Sequence, residues 1–270
     1  MTRAHKAVGP VRSFVWDLRA GTMDEAALDG VDHIIHLAGA GIADKRWNEA
    51  RVQELISSRT RGPELLYAAC ERNGHWPKSF ISSAGIGYYG AVSSDHVYSE
   101  TDPPGTDTIA RISVAWEHAA NAWSDRTRVV KLRTPLVLAR DGGALKPLGR
   151  LARFGLASPI GLGKQIMPWI HINDLVLAYK LALADYRLLG AYNVAAPEQP
   201  DNRSFMRTLA KALHRPYFMP AVPGFVLRAV VGGVADALLN GSAVSGKKIQ
   251  DLGFVPKHIT LKEALAALYS

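Results

Sequence analysis

Two nearly continuous apolar runs, "DHIIHLAGA" at 32–40 and "KSFISSAG" at 78–85, bracket one long stretch of helical periodicity. Neither run alternates polar with apolar. A strand of that pattern is covered on both faces, which is the environment of a parallel sheet. Between the two, 44–73 spaces Trp47, Val52, Ile56, Leu65, Leu66 and Ala69 as a helix does. Pro63 inside it predicts a kink or a restart.

The same alternation continues on either side. "VRSFVWDL" (11–18) reads as a strand, and "TMDEAALDG" (22–30) as a short helix closed by Gly30. "TIARISVAWEHAANAWSD" (108–125) reads as a long helix, and "RVVKLRTPLVLAR" (128–140) as a strand running on into a loop. Strands and helices taking turns in this way specify an α/β fold with helical crossovers. After about 141 the character changes to Gly, Pro and mixed helices, with short extended pieces at 168–172 and 192–197. The expectation is a sheet domain over 1–140, to which 173–197 returns, and a smaller lobe for substrate from 141–172 and 198–270.

Residues 85–90, Gly85-Ile86-Gly87-Tyr88-Tyr89-Gly90, spell G-x-G-x-x-G. A dinucleotide fingerprint needs a helix behind those glycines, so that its N-terminus faces the pyrophosphate. Gly90 is succeeded instead by "AVSSDHVYSETDPPGTD", a loop, so the match reads as a look-alike. Gly39-Ala40-Gly41 does lead toward a helix, but Asp44 stands where the third glycine belongs, and its simplest role is to cap that helix.

The bulk numbers exclude several classes. Net charge is +8, with the basic residues scattered rather than run together, which argues against a nucleic-acid partner. Cys70 is the one cysteine, so neither an internal disulfide nor a cysteine zinc site is available, and a reducing cytoplasm fits. The longest apolar region, 222–239, is interrupted by Arg228 and Asp236 and reads as a packed amphipathic segment; no membrane partner is expected. The nine histidines show no H-E-x-x-H-like pairing, and no metal is expected.

Taken together, "HLAGAGIADKRWNEARVQELISSRTRG", "ISSAGIGYYG", "LRTPLVLARDGGAL", "GLGKQIMPWIHINDL" and "YNVAAPE" resemble the NAD(P)-dependent epimerase/dehydratase group of extended short-chain dehydrogenases/reductases, in its atypical SulA-like branch. The likeness covers essentially the whole chain. It implies a Rossmann-like doubly wound parallel sheet with a smaller C-terminal substrate lobe. It implies NADP, or NAD, as cofactor, an unidentified small-molecule substrate, a cytoplasmic location and hydride transfer at a hydroxyl or carbonyl carbon. It also allows a homodimer paired through the helices near 44–73 and 108–125.

The resemblance assigns residues as well. Leu37, Ala38 and Gly39 would pass under the ribose and pyrophosphate, Ser82 would lie beside the cofactor, and Arg133 would hold its phosphates or an anionic substrate. Arg3 matches the position that meets an adenosine 2′-phosphate. The family's Tyr-x-x-x-Lys pair is not found: its slots fall at Ile109 and Ser113, and Ala84 occupies the usual serine position. Ser83, Tyr88, Tyr89 and His171 are the substitute catalytic candidates. Asp174 is expected to cap a helix over 174–184.

The family ordinarily begins with a strand, a glycine-rich loop, a helix and a second strand ending in "TR". This chain begins "MTRAHK", so the expectation is that roughly thirty residues with the phosphate loop precede Met1 in the family pattern, their two strands lying between 11–18 and 32–38. The non-standard slots motivate a second reading, a catalytically silent cofactor-binding or interaction protein.

Overall fold

A computed structural model describes residues 11–269. Its centre is a four-stranded, all-parallel sheet in the order β3 (His33–His36), β4 (Ser79–Gly85), β5 (Arg128–Thr134), β8 (Gly190–Asn193). The two apolar runs are adjacent in it: Ile34 lies opposite Phe80, and Ile35 opposite Ile81.

Strand alternation divides the core. Phe80 and Val129 point to one face, where they pack with Leu66, Cys70 and Trp123 under the helices α1 (Glu49–Asn73) and α2 (Thr108–Asn121). Phe80 and Trp123 stack with centroids 4.3 Å apart. Ile81, Val130 and Leu132 point to the other face, against Leu175, Ala178 and Ala182 of α4 (Ile172–Ala184). Helices on both faces make the sheet doubly wound, as expected.

Several expected elements are redrawn. Of 11–18, only β1 (Trp16–Asp17) is a strand, and it pairs antiparallel with β2 (Thr22–Met23) in a separate ribbon. Asp17 is the reason: its carboxylate accepts from the amides of Arg19 and Ala20, and Gly21 takes φ +68°, which closes a tight turn. The helix expected from residue 44 starts at Glu49, because Asn48 accepts from the Arg51 amide and is the cap; Asp44 does not cap it. α1 then runs as a single helix through Pro63. Gly62 lets it approach β3: a Cβ there would fall 2.8 Å from His36 Nε2.

After β5 the chain enters a short parallel pair, β6 (Leu136–Leu138) with β7 (Trp169–His171), separated by α3 (Leu145–Arg153). Helices α5 (Asn202–Ala212), α6 (Gly224–Val231), α7 (Val234–Leu239), α8 (Lys247–Gln250) and α9 (Leu261–Tyr269) come after β8. Leu138, Leu145, Trp169, Phe205, Leu209 and Leu265 make the core of this part. No helix among the described residues is long and apolar enough to cross a membrane.

Candidate active site

In an open parallel sheet, ligands bind outside the carboxyl ends of the strands. Here that edge carries the loop after β3, the turn after β4 and the end of β5. α1 and α2 both start there, because each runs back antiparallel to the strands it crosses over.

The loop at 37–41 is built of small residues and held from behind. Arg59, two turns along α1 from Arg51, donates Nη2 to the Ala40 carbonyl at 3.0 Å, and Arg51 donates to the Gly41 carbonyl. Ser58 Oγ accepts from the Ala40 amide at 2.9 Å. Gly39 has to be small: a Cβ there would fall 3.2 Å from Arg59 Cγ and Cζ. Both guanidiniums are buried, and the Nε of each is without a partner among the described residues. Arg59 also lies over the Trp116 ring at 4.9 Å. Burial, then the charge of Arg51, depress the Arg59 pKa to about 10, so it stays a cation at neutral pH. Two arginines therefore put positive charge under this backbone, with Glu54 on Arg51 as the salt-bridge partner. Leu37 is exposed at the loop's mouth.

After β4, a 3₁₀ turn over Ile86–Tyr89 and a loop precede α2 at Thr108, so Gly85–Gly90 is not followed by a helix that could aim at a phosphate. Its glycines permit close packing instead: a Cβ on Gly87 would fall 2.6 Å from Ile109 and 3.1 Å from Ser113 Oγ. The two slots of the missing Tyr–Lys pair thus sit side by side against this turn.

Tyr88 and Tyr89 part company here. Tyr89 is buried; its hydroxyl donates to Asn193 Oδ1 at 2.8 Å and accepts from Arg133 Nη1 at 2.9 Å. Burial pushes this phenol up, away from neutral-pH chemistry, against the opposing pull of Arg133. Tyr88 is half-buried, and the Arg133 guanidinium lies over its ring at 3.5 Å. Among the described residues its hydroxyl has no hydrogen-bond partner.

Arg133 is the hub of a buried network. Its Nε and Nη2 meet the two Glu117 carboxylate oxygens at 2.6 and 3.0 Å. Burial disfavours the cation, but the hydrogen bonds and charge of Glu117 hold it, and its pKa is raised. Lys131, two residues back on the same face of β5, donates to Asn121 at 2.6 Å and lies 3.5 Å from Glu117. Three of its five N–H groups are engaged in this way, with the side chain almost wholly buried, so in this structure Arg133 serves this network. It positions the tyrosines.

Ser82 is buried and donates to its neighbour's carbonyl at 2.8 Å. Ser83 points to the opposite face, toward the partly buried Tyr179. His171 is buried; its Nδ1 accepts from the Asn173 amide at 3.1 Å, which caps α4, and its ring stacks on His258 at 3.7 Å. Asp174 does not cap that helix. Its carboxylate receives the Lys257 and His258 amides at 3.0 Å each and His258 Nδ1 at 2.9 Å. These residues join α4 to the segment before α9, and the structure brings His171 to that clasp rather than to the tyrosines' network. Arg3 lies outside the described residues.

Sequence reasoning missed Arg51, Arg59, Glu117 and Lys131. A charged side chain on a helix reads as solvated, so burial of α1's arginines leaves no mark in the periodicity. A cleft of about 270 Å³ opens beside Ile109, between the N-termini of α1 and α2 and α7; Trp47, Val52, Thr108 and Asp236 line it.

Comparison with known proteins matches 5–195 to the profile of the NAD dependent epimerase/dehydratase family and 222–268 to a domain of unknown function. The chain is 37% identical over 240 residues to the epimerase family protein SDR39U1 of Homo sapiens, covering 86% of this chain and 81% of that protein. It is 35% identical over 252 residues to an epimerase family protein of Mycobacterium tuberculosis, covering 93% and 82%. The crystal structure of human SDR39U1 (isoform 2) with NADPH superposes with a TM-score of 0.84 at 34% identity, over 89% of this chain and 82% of that one. A nucleoside-diphosphate sugar epimerase from Corynebacterium glutamicum superposes at 0.76 with 25% identity, covering 98% of this chain and 51% of that one.

Proposed function

The chain belongs to the NAD dependent epimerase/dehydratase family, and from that premise we propose that it is an NADP-dependent oxidoreductase or epimerase of the extended short-chain type, acting at a hydroxyl-bearing or carbonyl carbon of a small molecule. The observation that carries this is the pair of buried arginines converging on the loop at 37–41. Two buried Nε groups without partners, a backbone kept bare by Gly39 and a position at the carboxyl edge of a parallel sheet suit a dinucleotide's phosphates. NADPH is the cofactor of the human relative's crystal structure.

Leu37, Ala38 and Gly39 would lie under the cofactor's sugar and phosphates, with Arg59 and Arg51 supplying the charge behind them. Bound there, the nicotinamide supplies hydride chemistry. The protein's part is to orient the reactants and to move a proton. Tyr88 is our candidate for that proton: its hydroxyl is unpartnered, and Arg133 fixes its ring. Tyr89, Arg133 and Glu117 hold Tyr88 in place. We assign 141–172 and 198–270 to the substrate side and 1–140 with 173–197 to the cofactor side, and we expect a cytoplasmic protein, which suits its single buried thiol.

The silent reading keeps one specific support, Ile109 and Ser113 in the Tyr–Lys slots. NADPH fluorescence titration followed by single-turnover assay over a carbonyl panel separates the two. Binding with oxidation of NADPH in the presence of at least one carbonyl supports the enzyme. Binding without any oxidation favours the silent protein, and no saturable binding removes the cofactor claim.

A further inference from the structure

The net charge of +8 is not spread over the fold. The segments 142–173 and 202–235 hold nine of the 32 Lys+Arg and none of the 24 Asp+Glu, which leaves 23 basic against 24 acidic residues in the rest of the chain. The acids that border these segments, Asp141, Asp174, Asp201 and Asp236, reduce the local excess, but the part built around α3, α5 and α6 stays net basic.

The same segments carry its apolar exposure. Five of the six most exposed large hydrophobic side chains among the described residues fall in them, including Leu162 at 77%, Phe225 at 74%, and Phe154 and Phe218 at 72% each. α6 buries none of its residues. Side chains of that size scattered singly need no explanation; gathered among an excess of basic groups they do, even though Asp236 pairs with Arg228 and Asp141 and Asp201 flank the segments.

They are gathered. At the end of α3 the chain turns back, the Leu156 amide bonding to the Leu151 carbonyl at 3.0 Å, so that Leu151, Phe154 and Leu156 share one knob beside Arg150 and Arg153. The next stretch pairs with the segment before α6: the Val222 amide bonds to Pro159 O at 2.8 Å, and Gly161 to Val222 O at 2.9 Å. Arg203 of α5 donates to the Leu162 carbonyl at 3.2 Å, and Arg207 lies over the Tyr217 ring at 5.8 Å, next to Phe218. α3 and α5 share one core. Between α5 and α9 opens a cavity of about 300 Å³, lined by Lys211, His214 and Lys262 and by no acid, and closed by Tyr269, over which Arg153 sits at 5.5 Å.

We propose that this face is a docking surface for an anionic phospholipid bilayer, with the exposed phenylalanines and leucines entering the headgroup boundary and the ring of Lys and Arg meeting lipid phosphates. Charge complementarity selects this occupant. A bare polyanion such as nucleic acid would use the basic groups and leave the aliphatic side chains in water, and a second copy would bring a second positive surface against the first. Interfacial binding of this kind combines apolar insertion with attraction to anionic lipid. It needs no spanning helix, and so departs from the expectation of no membrane partner, which rested on the lack of a long apolar run.

The test is flotation of the full chain with vesicles of phosphatidylcholine alone and with vesicles containing added phosphatidylglycerol. The proposal expects partition onto the anionic vesicles about tenfold or more above the neutral ones, weakened in high salt. R150E/R153E should abolish it, and F154S/F225S should weaken it about tenfold in low salt, both variants melting at the wild-type temperature. Equal partition onto both vesicle types, or none onto either, overturns it. So does anionic binding that F154S/F225S leaves unchanged, which would mark a general polyanion surface, and so does a dimer in light scattering that F154S/F225S dissociates.

Discussion

The Glu117 carboxylate and the Arg133 guanidinium meet edge to edge, 2.6 and 3.0 Å apart, with both side chains almost wholly out of water. α2 supplies one and β5 the other, so the pair ties the helix bearing the Ile109 and Ser113 slots to the sheet strand that fixes Tyr88 and Tyr89. Removing Glu117 leaves two buried cations, Arg133 and Lys131, without their carboxylate, whereas removing Arg133 leaves Glu117 with Lys131 3.5 Å away. Glu117→Ala should cost about 3–5 kcal/mol by chemical denaturation, and Arg133→Ala less than that because Lys131 still compensates Glu117. A Glu117→Ala loss below about 1 kcal/mol would mean that water reaches the surviving cations.

His36 makes stability depend on pH. It is buried against Phe80 and Gly62, neither ring nitrogen has a partner among the described residues, and burial, then the charge of Arg59, lower its pKa from 6.5 to about 4. Between those values the unfolded chain binds more protons than the folded one. Its contribution is therefore complete above pH 6.5 and is lost as the pH falls to about 4, by about 3 kcal/mol. In a denaturation series over that window, His36→Gln should flatten the slope by this amount. An unchanged slope would assign the acid sensitivity elsewhere.

The bare backbone at Gly39 is expected to matter for cofactor and little for folding. Gly39→Val sets a branched side chain against Arg59 and should weaken NADPH binding about tenfold or more, roughly 1.4 kcal/mol. Isothermal titration would read it. Wild-type affinity in the variant would place the phosphates away from this loop.

The adjacent tyrosines should give opposite phenotypes. Tyr88→Phe should lower the rate of the chemical step about 100-fold or more while NADPH affinity and melting temperature hold. Tyr89→Phe removes hydrogen bonds from Arg133 and Asn193 and should cost about 1–3 kcal/mol of stability. A full-rate Tyr88→Phe would transfer the proton to another group.

Much of the fold is written in β3 and β4. Strands buried on both faces leave unbroken apolar runs, and these specified the parallel pairing and the crossover helix. The ribbon at β1 and β2 was not legible, because a β-rich run reads alike in a sheet or a hairpin. There the Asp17 carboxylate, a detail of one turn, decided. Helix starts depend equally on single hydrogen bonds, which is why Asn48 and His171 cap where Asp44 and Asp174 were expected. Of the site, the small residues after β3 and the tyrosine turn were visible as motifs. Arg51, Arg59, Glu117 and Lys131 were not, since a buried charge is set by partners distant in sequence.

The most direct measurement is NADPH titration of wild type and Arg59→Glu side by side. The account predicts saturable binding by the wild type, preferred over NADH, and a loss of at least about tenfold in the variant. Equal affinity in both, or a wild type that does not saturate, would contradict it.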